Sequence, residues 1–235
     1  MNSFKFAYLT LALYILIVGM QRFKKEKLKT AIISIIIVSA CLTVGARIVY
    51  YIQSSSKDLE ILFSWDLSGF KISGCLFGGL VGILILMKIF KEEKRNILNT
   101  VIEGMFLCGG VAKVGCFING CCIGKPTVLP WGVSYPEHGW YDLHPVQLYE
   151  AFTLWIGLIV LLELKDIVKD NTRISIAILV YFILRIFVIE GLYSGGQFMG
   201  NTKMRIIYFI SILVCVFFII KDKKEIVKYG KAKEE

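Results

Sequence analysis

Lys113-Val-Gly-Cys-Phe-Ile-Asn-Gly-Cys-Cys-Ile-Gly-Lys125 sets a lysine, an asparagine, three cysteines and several glycines at the end of an apolar run. His144-Pro-Val-Gln-Leu-Tyr-Glu150 opens the next apolar run with a histidine, a glutamine, a tyrosine and a glutamate. Polar groups where two membrane helices meet are costly, so such a cluster marks a site. Arg47 and Arg185 add cations from two further apolar runs, and Glu103 and Glu190 add acids. Two readings stand at this point. The charges pair internally and fix helix packing. Alternatively, Arg47, Lys113 and Arg185 gather at one depth near the outer leaflet and hold an anionic group such as a phosphate. His144 serves either as a catalyst or as a hydrogen-bonded interface residue.

The seven cysteines are Cys41, Cys75, Cys108, Cys116, Cys121, Cys122 and Cys215. An odd number, mostly inside apolar runs, argues against a disulfide framework. Cys41, Cys75, Cys108 and Cys215 read as small core hydrophobes. The CxxxxCC spacing of Cys116, Cys121 and Cys122 is not a zinc pattern, so no metal and no cofactor are expected. An oxidised pair among these three stays open.

The elements that position these groups are membrane helices. Hydrophobic residues make up 56% of the chain, and the mean hydropathy is +0.68. The apolar residues fall in seven long runs, about 4–21, 30–52, 69–90, 97–117, 147–164, 174–192 and 204–220. A run of about 20 apolar residues spans a bilayer as a helix, because lipid offers backbone groups no other partner. The fold class expected is therefore all-α and polytopic, with about seven transmembrane helices.

Most of the 27 basic residues lie in 22–29, 88–95, 165–173 and the tail, which are alternate connections. The other connections hold only Lys5, Lys57, Lys71, Lys125, Lys203 and Arg205. The positive-inside rule puts the N-terminus outside and the C-terminus in the cytoplasm. The net charge of +9 then reflects topology and anionic-lipid contact, and no basic stripe on a soluble domain invites nucleic acid. One transmembrane domain covers 1–220, with an outer-face loop 118–146 and a basic cytoplasmic tail 221–235. The loop holds Pro126, Pro130 and Pro136 and both histidines, and Trp131, Tyr135, Trp140 and Tyr141 suit a membrane interface. Gly74, Gly78, Gly79 and Gly82 in the third run fit close helix contact. Gly78 and Gly79 also allow a lipid headgroup to approach backbone.

In order, GAR, GGLVG, GCFINGCCIGKPT, PWGVSYP, HPVQLYE, an arginine and EG resemble the bacterial prolipoprotein diacylglyceryl transferase family, from about Gly45 to Gly191. The resemblance implies a multi-pass enzyme of the cytoplasmic (inner) membrane with no cofactor. It would move the diacylglyceryl group of phosphatidylglycerol to the lipobox cysteine beside a prolipoprotein's signal peptide, forming a thioether. The family signature G-R-x-x-N-F-x-N-x-E-x-x-G has Lys113 at its arginine, Cys116 at its first asparagine and Cys121 at its glutamate. Asn119 and Gly124 are kept. Phe77 stands at the histidine ahead of the paired glycines. Arg185 matches the second arginine. The glutamate normally four residues on is Glu190, five on, which is roughly 100° round an ideal helix.

On this resemblance Lys113 and Arg185 hold the phosphate and stabilise the leaving group. Asn119, Gly124, Gln147 and Tyr149, with Arg47, Gly78 and Gly79, contact the lipid headgroup. His144 or Glu190 takes the thiol proton, and the chain's own cysteines fill space or brace the loop. Two other classes stay open. One is a membrane thiol enzyme using Cys116, Cys121 or Cys122. The other is a non-catalytic lipid- or solute-binding membrane protein.

Overall fold

The computed structural model describes residues 3–53, 72–139, 141–194 and 209–222. Every apolar run identified above coincides with a helical stretch within those residues. They are α1 (Ser3–Arg22), α2 (Lys27–Gln53), α3 (Ile72–Ile89), α4 (Lys94–Ile118), α5 (Val146–Glu163), α6 (Asp170–Leu184) and α7 (209–222). Four stretches are long and apolar enough to cross a membrane: Lys27–Ile52, Lys91–Ile118, Val146–Glu163 and Asp170–Leu192. Phe77–Ile89 is a shorter apolar helix. The expected role of Trp140 and all but the first two residues of the tail 221–235 lie outside the described residues.

Burial is inverted relative to a water-soluble protein. Phe187 is 81% exposed, Phe77 66% and Ile36 61%, while Glu103, Gln147, Glu150, Arg173 and Arg185 are buried. Apolar side chains facing outward and paired charges facing inward is the arrangement lipid favours.

The chain packs as two compact units, Met1–Cys108 and Gly109–Glu235. In the first, Leu11, Ile15, Val38, Leu42, Ile83, Leu86, Ile97 and Val101 build the core. Helices α2 and α3 touch backbone to backbone. A side chain at Gly45 or Gly74 would strike the other's carbonyl, and one at Gly78 would strike the Cys41 carbonyl. The small-xxx-small spacing thus works as close packing. Gly79 instead lies under the flexible end of Met105. Glu103 is fully buried. It binds Arg22 Nη1 at 2.6 Å and accepts a hydrogen bond from the Tyr14 hydroxyl at 2.8 Å. Glu93 accepts from the backbone N–H of Lys24 at 2.7 Å and from Asn96 Nδ2 at 2.7 Å. The basic segments 22–29 and 88–95 therefore meet at one end of this unit.

In the second unit Gly110 lets the Trp155 indole lie directly on α4. After α4 the chain forms a small antiparallel ribbon, β1 (Val133–Ser134) against β2 (Asp142–Leu143). A 3₁₀ turn, Pro136–His138, precedes Gly139, whose φ of 85° closes the ribbon. The loop is anchored by side chains: Tyr135 Oη to the Phe117 carbonyl at 3.0 Å, and Trp131 Nε1 to Tyr149 Oη at 2.8 Å. At the opposite end of the helices Arg173 donates to the Leu161 carbonyl at 2.6 Å, and Thr172 donates to Asp222. Segment 165–173 and the start of the basic tail thus share one end.

Candidate active site

Three strands of backbone meet beside the end of α4. Segment 123–126 is zipped on both sides: Lys125 N–H bonds to the Leu192 carbonyl at 2.8 Å, Ser194 N–H to Ile123 at 3.1 Å, and His144 N–H to Lys125 at 3.0 Å. Gly124 sits where any Cβ would meet the His144 carbonyl and Val146. That close approach explains the glycine and draws the start of α5 and the end of α6 to the end of α4.

Glu150 lies at the centre. It is one turn beyond Gln147 on the same face of α5, the i, i+3 relation, and is 2% exposed. Lys113 Nζ reaches Glu150 Oε2 at 2.7 Å and Arg185 Nε reaches Oε1 at 3.4 Å. The Tyr181 hydroxyl donates to Oε1 at 3.1 Å, and the Tyr193 hydroxyl donates to Oε2. The Arg185 guanidinium also lies over the Tyr193 ring, 4.6 Å from its centroid. Burial pushes the Tyr193 phenol above its usual range, with Lys113 pulling against it, so it stays a donor. A buried carboxylate needs this many partners to stay ionised.

Glu190 is brought to Arg185 by a change of helix type. Regular α6 gives way to a π turn at Arg185–Ile189, in which Glu190 N–H bonds to the Arg185 carbonyl, and then to a 3₁₀ turn at Glu190–Leu192. A π turn absorbs one extra residue. Five residues therefore do what four do in a regular helix, and Arg185 Nη1 meets Glu190 Oε2 at 2.9 Å. The 100° offset expected from an ideal helix does not arise.

The three loop cysteines converge. Helix α4 closes with Gly120 at φ 63°, and Cys122 also takes a left-handed φ of 57°. Cys121 N–H bonds to the Cys116 carbonyl at 3.1 Å, and Gln147 Nε2 donates to the Cys121 carbonyl at 2.7 Å. The three Sγ atoms lie within 4.8 Å of one another, and all three cysteines are free thiols. Cys121 Sγ donates to the Cys116 carbonyl at 3.6 Å, and the neighbouring Cys116 and Cys121 thiols, with Lys113 and Arg185, hold the Cys122 thiol below the usual range.

The prolipoprotein diacylglyceryl transferase family model matches residues 2–221. The chain belongs to this family. A phosphatidylglycerol–prolipoprotein diacylglyceryl transferase of Clostridium tetani is 29% identical over 166 residues, 67% of this chain and 67% of the relative. One from Clostridioides difficile is 30% identical over 182 residues, 76% and 71% of the two chains. One from Finegoldia magna is 31% identical over 196 residues, 79% and 75%.

Of the residues singled out in the sequence, Lys113, Arg185 and Glu190 join one charged cluster. Gln147 is fully buried and bridges that cluster's helix to the cysteine loop. His144 stands against the Tyr149 ring, with centroids 6.3 Å apart. Asn119 is exposed at the end of α4. Arg47, Gly78 and Gly79 belong to the first unit, where all three are buried. Glu150 closes the segment that opens at His144 but was given no role, and Tyr181 and Tyr193 were missed. The signal for Glu150 was present: an acid one turn inside an apolar run, on the same face as Gln147.

Proposed function

We propose that this chain, a diacylglyceryl transferase, works as a multi-pass enzyme of the bacterial cytoplasmic membrane. It moves the diacylglyceryl group of phosphatidylglycerol to the lipobox cysteine thiol of a prolipoprotein. The observation that carries the site assignment is the convergence of Lys113 and Arg185, from separate helices, on one buried carboxylate. A carboxylate and a phosphate ask the same of those cations, so the lipid phosphate binds beside Glu150 or in its place. Glu150 and Glu190 are positioning residues that hold the cations side by side.

As the glyceryl C–O bond breaks, a second negative charge develops on the departing glycerol phosphate. Lys113 and Arg185 are preorganised to receive it. Gln147 Oε1 and His144 Nδ1 are buried with no hydrogen-bond partner among the described residues. Gln147, with Asn119, Tyr149 and the close backbone at Gly124, orients the headgroup glycerol. His144 takes the thiol proton. On the family resemblance Arg47 is a further lipid-binding residue, whereas Gly78 and Gly79 pack helix against helix.

Seven membrane helices, with the N-terminus outside and the C-terminus in the cytoplasm, complete the reading. The meeting of 22–29 with 88–95, and of 165–173 with the tail, supports it, because each pair joins basic segments assigned to the cytoplasmic face.

The test uses vesicles of phosphatidylglycerol, the purified protein and a peptide with a lipobox cysteine. The peptide should gain the mass of one diacylglyceryl group. The same peptide with serine at that position should stay unchanged. Equal gain by both peptides would sink the thiol-acceptor reading.

A further inference from the structure

The reaction above needs a thiolate, and both site carboxylates are engaged in ion pairs. The sulfur cluster offers a second means of managing the thiol proton. Three Sγ atoms within 4.8 Å of one another are within reach of a single ion. Their spacing along the chain matches no zinc pattern. The helix cap at Gly120 and the left-handed turn at Cys122 make the convergence instead, and Gln147 clamps the turn through the Cys121 carbonyl. Cys116 is buried and Cys121 exposed, so the cluster has a closed side and an open side.

Three sulfur donors select thiophilic d¹⁰ cations, zinc foremost. Among the described residues the group comprises these three ligands, and three protein ligands with one open position is the catalytic form of a zinc site. Three thiolates on a dication leave one net negative charge. Lys113, one helical turn before Cys116 on α4, brings a positive charge to offset it.

We propose that Cys116, Cys121 and Cys122 bind one thiophilic dication of the zinc class, whose open position takes the acceptor cysteine as its thiolate. This rests on the transferase reading above. A thiol that coordinates such an ion is deprotonated outright. The proton leaves to water or His144, and the electron pair stays on sulfur. That pair then forms the S–C bond to the glyceryl carbon. The C–O bond breaks with its electrons going to the phosphate oxygen, and glycerol phosphate departs. The dication keeps its charge throughout, so neither oxidant nor reductant takes part. The ion and His144 act in series, one lowering the cost of the proton and the other receiving it.

The test uses the full chain in detergent under reducing conditions, stripped with a chelator and titrated with Zn²⁺ or Cd²⁺ alone. One metal per chain is expected, with a thiolate-to-Cd²⁺ ultraviolet band. Stripping should lower transfer to the lipobox peptide by about 10²-fold or more, Zn²⁺ should restore it, and phosphatidylglycerol binding should persist. Cys121→Ser, at an exposed side chain, should lose the band without unfolding. Unchanged transfer by stripped protein, or absence of a tight equivalent of metal, overturns the proposal and leaves the transferase reading intact. So does a disulfide among the three in protein taken directly from cells. Metal bound at the three sulfurs with no lipid transfer in any state overturns both.

Discussion

Two cations and two phenols hold the Glu150 carboxylate, and each partner's role can be separated by substitution. Glu150→Gln keeps the shape and removes the charge, leaving Lys113 and Arg185 facing each other. Breaking one partner of a buried pair costs about 3–5 kcal/mol, so the melting temperature in detergent should fall. Added phosphatidylglycerol should then raise it by more than in the native protein, because the lipid phosphate fills the missing charge. An unchanged melting temperature would show that the carboxylate does not hold the cations. Lys113→Ala and Arg185→Ala should each nearly abolish transfer in protein that still inserts, whereas Lys113→Arg should retain transfer because the fork restores bidentate contact. Cys122 supplies a pH test. Its thiol is held low by the two neighbouring thiols and then by Lys113 and Arg185, so it stays ionised to lower pH than an ordinary thiol. In metal-free, reduced protein its alkylation rate should fall less steeply between about pH 8 and about pH 6 than that of an ordinary thiol of pKa about 8.5, which slows by nearly tenfold per unit. A tenfold loss per unit at Cys122 would contradict that electrostatic picture.

At the scale of elements, the π turn at Arg185–Ile189 sets the Arg185–Glu190 pair. Deleting Phe187, which is 81% exposed, should convert the turn to regular helix and keep the pair together at four-residue spacing. Deleting Val180 in regular α6 should instead rotate everything beyond it and abolish transfer. Equal loss in both deletions would remove the π turn from the account. The α2–α3 contact gives a second comparison. Gly78→Ala presses a methyl into the Cys41 carbonyl, while Gly79→Ala meets the movable side-chain ends of Met105 and Leu42. Overpacking against fixed atoms costs about 1–3 kcal/mol, so Gly78→Ala should lower the melting temperature clearly more than Gly79→Ala.

For the whole molecule, hydropathy located the helices because each apolar run is long and most are bounded by charge, as Lys91 and Lys165 illustrate. Lys113 and Arg185 were legible because cations inside apolar runs are costly. Their meeting on Glu150 was not, since it depends on segment 123–126 being zipped between α5 and the end of α6. Nor does the count from Arg185 to Glu190 reveal a π turn. The convergence of three sulfurs was hidden for a similar reason: spacing along a chain does not encode a left-handed turn at Cys122. The topology is open to direct test. A reporter active only outside the cell should work after Ser55 or Gly139 and fail after Lys94 or Asp170, and the reverse pattern would place the site on the wrong face. The central claim is tested most directly with phosphatidylglycerol labelled separately in an acyl chain and in the headgroup glycerol, given to the pure enzyme with a lipobox peptide. The acyl label should pass to the peptide and survive neutral hydroxylamine, which would cleave a thioester, while the head label appears as free glycerol phosphate, one for one. Head label retained on the peptide, or glycerol phosphate released at the same rate without peptide, would contradict transfer to a thiol.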